Sequence, residues 1–246
     1  MSSPDKENRV SLRRYGTDGE TPASGERFLI PGPVGDIEAE LSGADGSANA
    51  PIAVVCHPHP LHGGSLNNKV VHTVARAFND LGVASLRFNF RGVGHSQGQF
   101  DHGIGEAEDL QAVVQWFRER NPKSPLWLAG FSFGAAVVYR AYTQAQGTQA
   151  QGTQAQRTLN PQRLLLVAPP VAQDYFPVEG PVDCPWMLIQ GSADEVVDAE
   201  AVSRWVRQQQ NPPDYHCLTG AGHFFHGRLT ELREHIKQAW GPLAPA

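Results

Sequence analysis

Five short runs of nearly continuous apolar residues punctuate the chain: Ile52–Cys56, Ala84–Phe88, Leu126–Ala129, Leu164–Ala168 and Trp186–Ile189. Runs of this length predict strands buried on both faces. Between them the period changes: Val70, Val71, Val74, Ala75 and Phe78 share one face of a helix, as do Leu110, Val113, Val114 and Phe117. The second helix has Glu106, Glu108 and Asp109 near its start and Arg118 and Arg120 at its end, the arrangement that complements the helix dipole. Strands alternating with helices need crossover connections, so the pattern predicts an α/β fold, a mostly parallel central sheet flanked by helices on both faces. Ahead of it, Phe28–Ile30 and the alternating Ile37–Leu41, separated by Pro31-Gly32-Pro33, predict an antiparallel opening pair.

Residues 1–25 are polar, carry Pro4, Gly16, Gly19, Pro22 and Gly25, and show neither period; they read as a flexible leader, with residues 26–246 forming a single domain. One segment breaks the domain's pattern. Gln144 to Gln156 spells QAQGT, QAQGT, QAQ, a period too short for the usual structural repeats, and Gly147 and Gly152 interrupt any helix there. It reads as a low-complexity surface insertion.

Composition narrows the classes. A chain of 246 residues with 40% apolar and 18% charged residues has ordinary globular usage, which excludes fibrous and disordered chains. Its 25 Gly and 19 Pro supply many tight turns. The net charge of -5 and the lack of a Lys/Arg cluster exclude nucleic acid as an expected partner. Cys56, Cys184 and Cys217 are odd in number and widely spaced, which suits thiols in a reducing compartment. Met1 to Arg14 is charged and lacks the apolar stretch of a signal peptide, and no run approaches the roughly 18 apolar residues of a membrane span. The expectation is a cytoplasmic protein.

The strongest chemical signal is Gly130-Phe131-Ser132-Phe133-Gly134, preceded by a predicted strand and followed by the apolar helical segment Ala135 to Tyr142. A serine on so sharp a strand-to-helix turn holds its hydroxyl clear of the sheet, and the flanking glycines avoid collisions with neighbouring backbone. Ser132 is thereby a candidate nucleophile. A serine hydroxyl needs a base to take its proton and a carboxylate to hold that base, and behind such an elbow they follow in the order acid, then histidine. Asp194 leaves the strand Trp186–Ile189 directly and is the expected acid; Glu195 and Asp198 are rivals, although Asp198 precedes the helical period Val202, Trp205, Val206 as an N-cap would. His223 lies in the loop after a last strand, Tyr215–Leu218, and is the expected base, with His226 as its competitor.

A tetrahedral intermediate needs two donors at its oxyanion. The Phe133 amide supplies one. The other must come from Cys56-His57-Pro58-His59-Pro60-Leu61, where the prolines have no N–H, so the candidates are His57, His59 and Leu61, with His59 preferred. His57, His59, His62 and His72 also invite a metal reading, but alternate residues of an extended segment point to opposite sides, and no metal is expected. Phe88 to Ser96 is glycine-rich without a following Gly-Lys-Ser/Thr, which reads as a turn braced by Arg91 rather than a phosphate loop.

Together the stretches HPHPLHGG (57–64), NNKVV (67–71), LRFNFRGVGHSQG (86–98), LAGFSFGA (128–135), GSADEVV (191–197) and GAGHFF (220–225) resemble the α/β-hydrolase superfamily, in particular its small cap-less bacterial serine hydrolases, neighbours of the dienelactone hydrolase-like carboxylesterases. The elbow carries serine where dienelactone hydrolases proper carry cysteine. The resemblance implies an α/β-hydrolase fold with no cap domain and the roles given above to Ser132, Asp194, His223, Phe133 and His59. It implies a serine esterase cleaving small or accessible ester substrates through an acyl-enzyme, without cofactor, as a monomer or homodimer. Thioester or peptide hydrolysis on the same three residues, and a non-catalytic binding protein of the same fold, remain alternatives. Only Pro169 to Pro185 lie where many relatives insert a lid, so an open cleft is expected, rimmed by Phe131, Tyr175 and Phe224 as candidate substrate contacts, with Phe133 and Phe176 nearby.

Overall fold

The computed structural model describes residues 12–15, 22–43, 50–148, 159–176 and 180–241. Its strands are β1 (Arg13–Arg14), β2 (Arg27–Gly32), β3 (Gly35–Ser42), β4 (Ile52–Cys56), β5 (Ala84–Phe88), β6 (Leu126–Phe131), β7 (Arg163–Val167), β8 (Trp186–Gly191) and β9 (Asp214–Leu218). The helices are α1 (Lys69–Asp80), α2 (Ile104–Arg120), α3 (Phe133–Thr148), α4 (Ala199–Gln208) and α5 (Leu229–Trp240). All the described strands join one sheet in the order β1-β2-β3-β5-β4-β6-β7-β8-β9. From β5 to β9 every pairing is parallel, whereas β3 runs antiparallel to both β2 and β5.

The apolar runs are uniform because both faces of the sheet are covered. Alternate residues divide cleanly: Ile52, Val54, Leu126, Leu128, Leu164, Leu166 and Leu188 pack with α2, α3 and α4, while Ala53, Val55, Trp127, Ala129, Leu165, Val167, Met187 and Ile189 pack with α1 and α5. Polar residues fix where helices begin. Asn68 caps α1 by accepting from the Val70 and Val71 amides (2.9 and 3.4 Å), and Asp198 caps α4 by accepting from the Glu200 amide (2.9 Å). This is the predicted α/β-hydrolase architecture. No helix or strand is formed by the described residues between β7 and β8, where a lid would sit.

Two expectations need correction. The leader is not wholly apart from the fold: Arg13 and Arg14 pair in parallel with Phe28 and Leu29, and Tyr15 is buried, its ring edge-on to Phe28 at 5.4 Å and its carbonyl accepting from Trp116 Nε1. A single aromatic residue anchors a segment whose composition otherwise reads as polar. Residues 1–11 and 16–21 of the leader lie outside the described residues. Nor is the start of the QAQGT tract a loop, because α3 continues to Thr148 and buries Ala145, so Gly147 does not stop the helix. Packing of one face outweighs the propensity cost of about 1 kcal/mol for a helical glycine. The tract from 149 to 156 lies outside the described residues.

Candidate active site

Ser132 stands between the last residue of β6 and the first of α3, with φ at 54°, in the left-handed region that a side chain enters at a cost of about 1–3 kcal/mol. The fold holds it there. Its amide donates to the Val167 carbonyl (2.8 Å) on β7, and its carbonyl accepts from the Ala135 amide (2.8 Å) in α3. The glycines are obligatory for the turn: a β-carbon on Gly130 would lie 2.2 Å from the Gly134 carbonyl oxygen, and one on Gly134 would lie 2.5 and 2.6 Å from the Cys56 and His57 carbonyl oxygens.

The structure brings the three residues singled out in the sequence together. Ser132 Oγ is 3.0 Å from His223 Nε2, and His223 Nδ1 is 2.8 Å from Asp194 Oδ2. The His223 and Asp194 side chains are almost fully enclosed. Asp194 Oδ1 accepts from the Val196 and Val197 amides (2.9 and 2.7 Å). Burial works to raise the Asp194 carboxyl, but the bonds from His223 and these amides outweigh it and hold the group below the usual carboxylate range. An ionised Asp194 keeps the proton on Nδ1, which leaves Nε2 as an acceptor facing the serine hydroxyl.

The rivals have other duties. Asp198 caps α4 with its side chain 62% exposed. Glu195 Oε2 accepts the His223 amide (3.2 Å) and lies where a β-carbon on Gly222 would stand 2.8 Å away, so it braces the histidine loop against the acid loop. Further bonds join the same two loops: Ser192 N to Leu218 O (3.0 Å), Ala193 N to Ala221 O (3.0 Å) and Gly220 N to Ser192 Oγ (2.8 Å). His226 is exposed, precedes α5 and sits beside Phe224.

The loop after β4 lies against the elbow. The His59 ring is 5.0 Å from the Phe133 ring, and among the described residues neither the His59 nor the Phe133 amide meets an acceptor. The Leu61 amide, by contrast, donates to His59 Nδ1 (3.2 Å) and is taken up. His57 is structural: its Nδ1–H donates to the Pro58 carbonyl (2.6 Å) and its Nε2 accepts from the Phe90 amide (3.0 Å), tying the loops after β4 and β5. Burial lowers its pKa to about 4, so it stays neutral. His59 and His62 stack at 4.4 Å, and no group of three or more potential metal ligands converges among the described residues. The glycine-rich segment after β5 holds a buried ion pair, with Arg91 bonded to Asp109 at 2.8 Å.

The aromatic candidates separate. Phe224 is 39% exposed and Tyr175 half-buried, on the His223 and Phe133 flanks respectively. Phe131 is fully buried and packs 5.0 Å from the His223 ring, so it supports the imidazole from beneath instead of facing the cleft. Phe176 packs on Tyr139 in the core. Phe100, unmarked in the sequence, completes the Phe133 flank at 4.9 Å from His59 and 5.6 Å from Phe133. Gln190 was also missed; its Nε2 lies 2.9 Å from Asp194 Oδ2. The available signal was a polar residue near the end of an otherwise apolar strand.

Comparison with known proteins finds relatives that share this fold. The family model described as serine aminopeptidase, S33, matches residues 51–173. An α/β serine hydrolase homologue from Coxiella burnetii is 42% identical with a TM-score of 0.78, covering 90% of this chain and 100% of that one. An α/β serine hydrolase without lid from Xanthomonas campestris is 41% identical with a TM-score of 0.77, covering 92% and 99%. An uncharacterized protein from Rickettsia prowazekii is 37% identical over 83% of this chain and 84% of its own.

Proposed function

The chain belongs to the α/β serine hydrolases, and from that membership we propose that it cleaves carboxylic esters through an acyl-enzyme on Ser132, with His223 as base and Asp194 as the acid that holds it. The observation that carries the reading is the relay of 3.0 and 2.8 Å from Ser132 through His223 to Asp194. In the first step His223 Nε2 takes the hydroxyl proton as Oγ bonds to the ester carbonyl carbon. The carbonyl oxygen gathers negative charge, which the unoccupied Phe133 and His59 amides meet in this reading. Collapse breaks the bond to the alkoxy oxygen, and the proton held by His223 leaves with the alcohol. Water repeats the sequence on the acyl-enzyme: His223 takes its proton, the tetrahedral adduct breaks at Oγ, and the acid departs with Ser132 restored.

Substrate contact falls to Tyr175 and Phe224 on either side of the serine, and the absence of secondary structure among the described residues joining β7 to β8 supports an accessible cleft. The family description also raises peptide hydrolysis from the N-terminus. An aminopeptidase needs a carboxylate for the free ammonium, and both Asp194 and Glu195 are already bonded to His223.

A panel separates the readings: p-nitrophenyl acetate and butyrate, a short acyl thioester, and alanyl and leucyl p-nitroanilides. The expected order of kcat/KM places the oxygen esters first. Faster turnover of the anilides would move the activity to peptides, and no turnover with no fluorophosphonate labelling would leave a binding protein.

A further inference from the structure

Gln190 is the penultimate residue of β8, with its side chain enclosed beneath Asp194. Its Nε2 has three acceptors around it: Asp194 Oδ2 at 2.9 Å and the Gly191 and Val197 carbonyls at 3.4 Å each. Only a donor fits there, which fixes the amide orientation. The other end of the amide is less well served, because Oε1 is buried without a partner among the described residues. A buried oxygen without a donor weakens a fold, so for stability alone an apolar side chain of the same length would serve better.

We propose that Gln190 is a positioning residue for the hydrolytic relay, setting both the orientation and the basicity of Asp194 by sharing its Oδ2 with His223. The proposal rests on the roles given above to Asp194 and His223. Oδ1 is fixed by the Val196 and Val197 amides, and Oδ2 accepts from both His223 Nδ1 and Gln190 Nε2. Each donor draws charge from the oxygen it meets. While Gln190 takes a share, the carboxylate stabilises the imidazolium less than an oxygen devoted to His223 would. Removing the Gln190 donor leaves Oδ2 to His223 alone and frees the carboxylate to turn. The ionisable side chains bonded to His223 are Asp194 and Glu195 from the loop after β8, with the Ser132 hydroxyl facing it from the elbow; β9 places Cys217 in register with Gln190.

The test uses the full chain and two variants. Gln190→Met keeps the length and removes the donor; Gln190→Glu keeps the shape and can donate only while protonated. His223 is titrated by NMR in the resting protein, which needs no substrate, and kcat/KM for p-nitrophenyl butyrate is followed against pH. In Gln190→Met the His223 titration and the acid limb of kcat/KM move up together by about one pH unit, and kcat falls about 10- to 100-fold. In Gln190→Glu activity declines as pH rises through the new carboxyl, over a range where the unaltered protein holds its plateau. A folded Gln190→Met with an unmoved His223 titration overturns the proposal. If Gln190→Met does not fold, a flat alkaline plateau in Gln190→Glu overturns it instead. Failure of the unaltered protein to hydrolyse any ester would strike the function proposed above, while the NMR titration would still decide whether Gln190 tunes His223.

Discussion

Gly134 approaches Cys56 so closely that a β-carbon on the glycine would stand 2.5 Å from the cysteine carbonyl oxygen. The contact presses the end of β4, and the loop that carries His59, against the first turn of α3. The separation of the two amides proposed as oxyanion donors depends on a position without a side chain. Gly134→Ala is expected to lower stability by about 3 kcal/mol, the upper end of the usual overpacking cost. Urea denaturation measures this; an unchanged midpoint would show that the backbones can part without loss.

Conservative substitutions separate the roles of the carboxylates that follow β8. Asp194→Asn removes the charge that selects the imidazole tautomer and should cut kcat about ten-thousand-fold. Asp198→Asn should leave kcat within about twofold, since asparagine caps a helix as well as aspartate does. Kinetics on the two purified variants decides it. The opposite ranking would move the acid to Asp198.

The elbow and the sheet were legible because their signals are local. Five apolar runs became strands with ends shifted by no more than a few residues, and the glycines around Ser132 declared a turn that tolerates no β-carbon. The order of Ser132, Asp194 and His223 along the chain followed from the turn itself. What stayed hidden depends on tertiary contact. Phe131 and Tyr175 are both aromatic residues beside the site, yet alternation along β6 turns Phe131 under His223, and no pattern in one sequence states which face a strand-end residue takes. Phe100 and Gln190 acquire meaning only from partners contributed by other strands and loops. Tyr15 was lost in a polar segment because its partners, Phe28 and Trp116, lie 13 and more residues away.

Tyr15 supplies a direct check on how far the fold extends toward the N-terminus. Its side chain is buried against Phe28 and its hydroxyl donates to Glu26 at 2.8 Å. Tyr15→Ala is expected to cost about 3 kcal/mol, in line with the loss of a buried aromatic ring. A thermal melt indistinguishable from that of the unaltered protein would return residues 13–15 to a detached leader.

His57 makes stability depend on pH. Its folded pKa of about 4 lies below the ordinary histidine value of 6.5, so between these limits the unfolded chain binds a proton that the native state refuses. Stability from this group is complete above about pH 6.5 and is lost as pH falls toward 4, by up to roughly 3 kcal/mol. His57→Gln, which can still accept from the Phe90 amide, should flatten this dependence. Chemical denaturation at several pH values between these limits tests it, and equal slopes in the two proteins would contradict the assignment.

The proposed hydrolysis turns on a covalent acyl-enzyme at Ser132. The most direct measurement follows p-nitrophenyl butyrate hydrolysis by Ser132→Ala alongside intact mass after fluorophosphonate treatment, with circular dichroism to verify the fold. The expected result is a single adduct on the unaltered protein, none on Ser132→Ala, and a fall in kcat of about a million-fold. A folded Ser132→Ala that still hydrolyses the ester at a comparable rate, or still takes the adduct, would contradict Ser132 as the nucleophile.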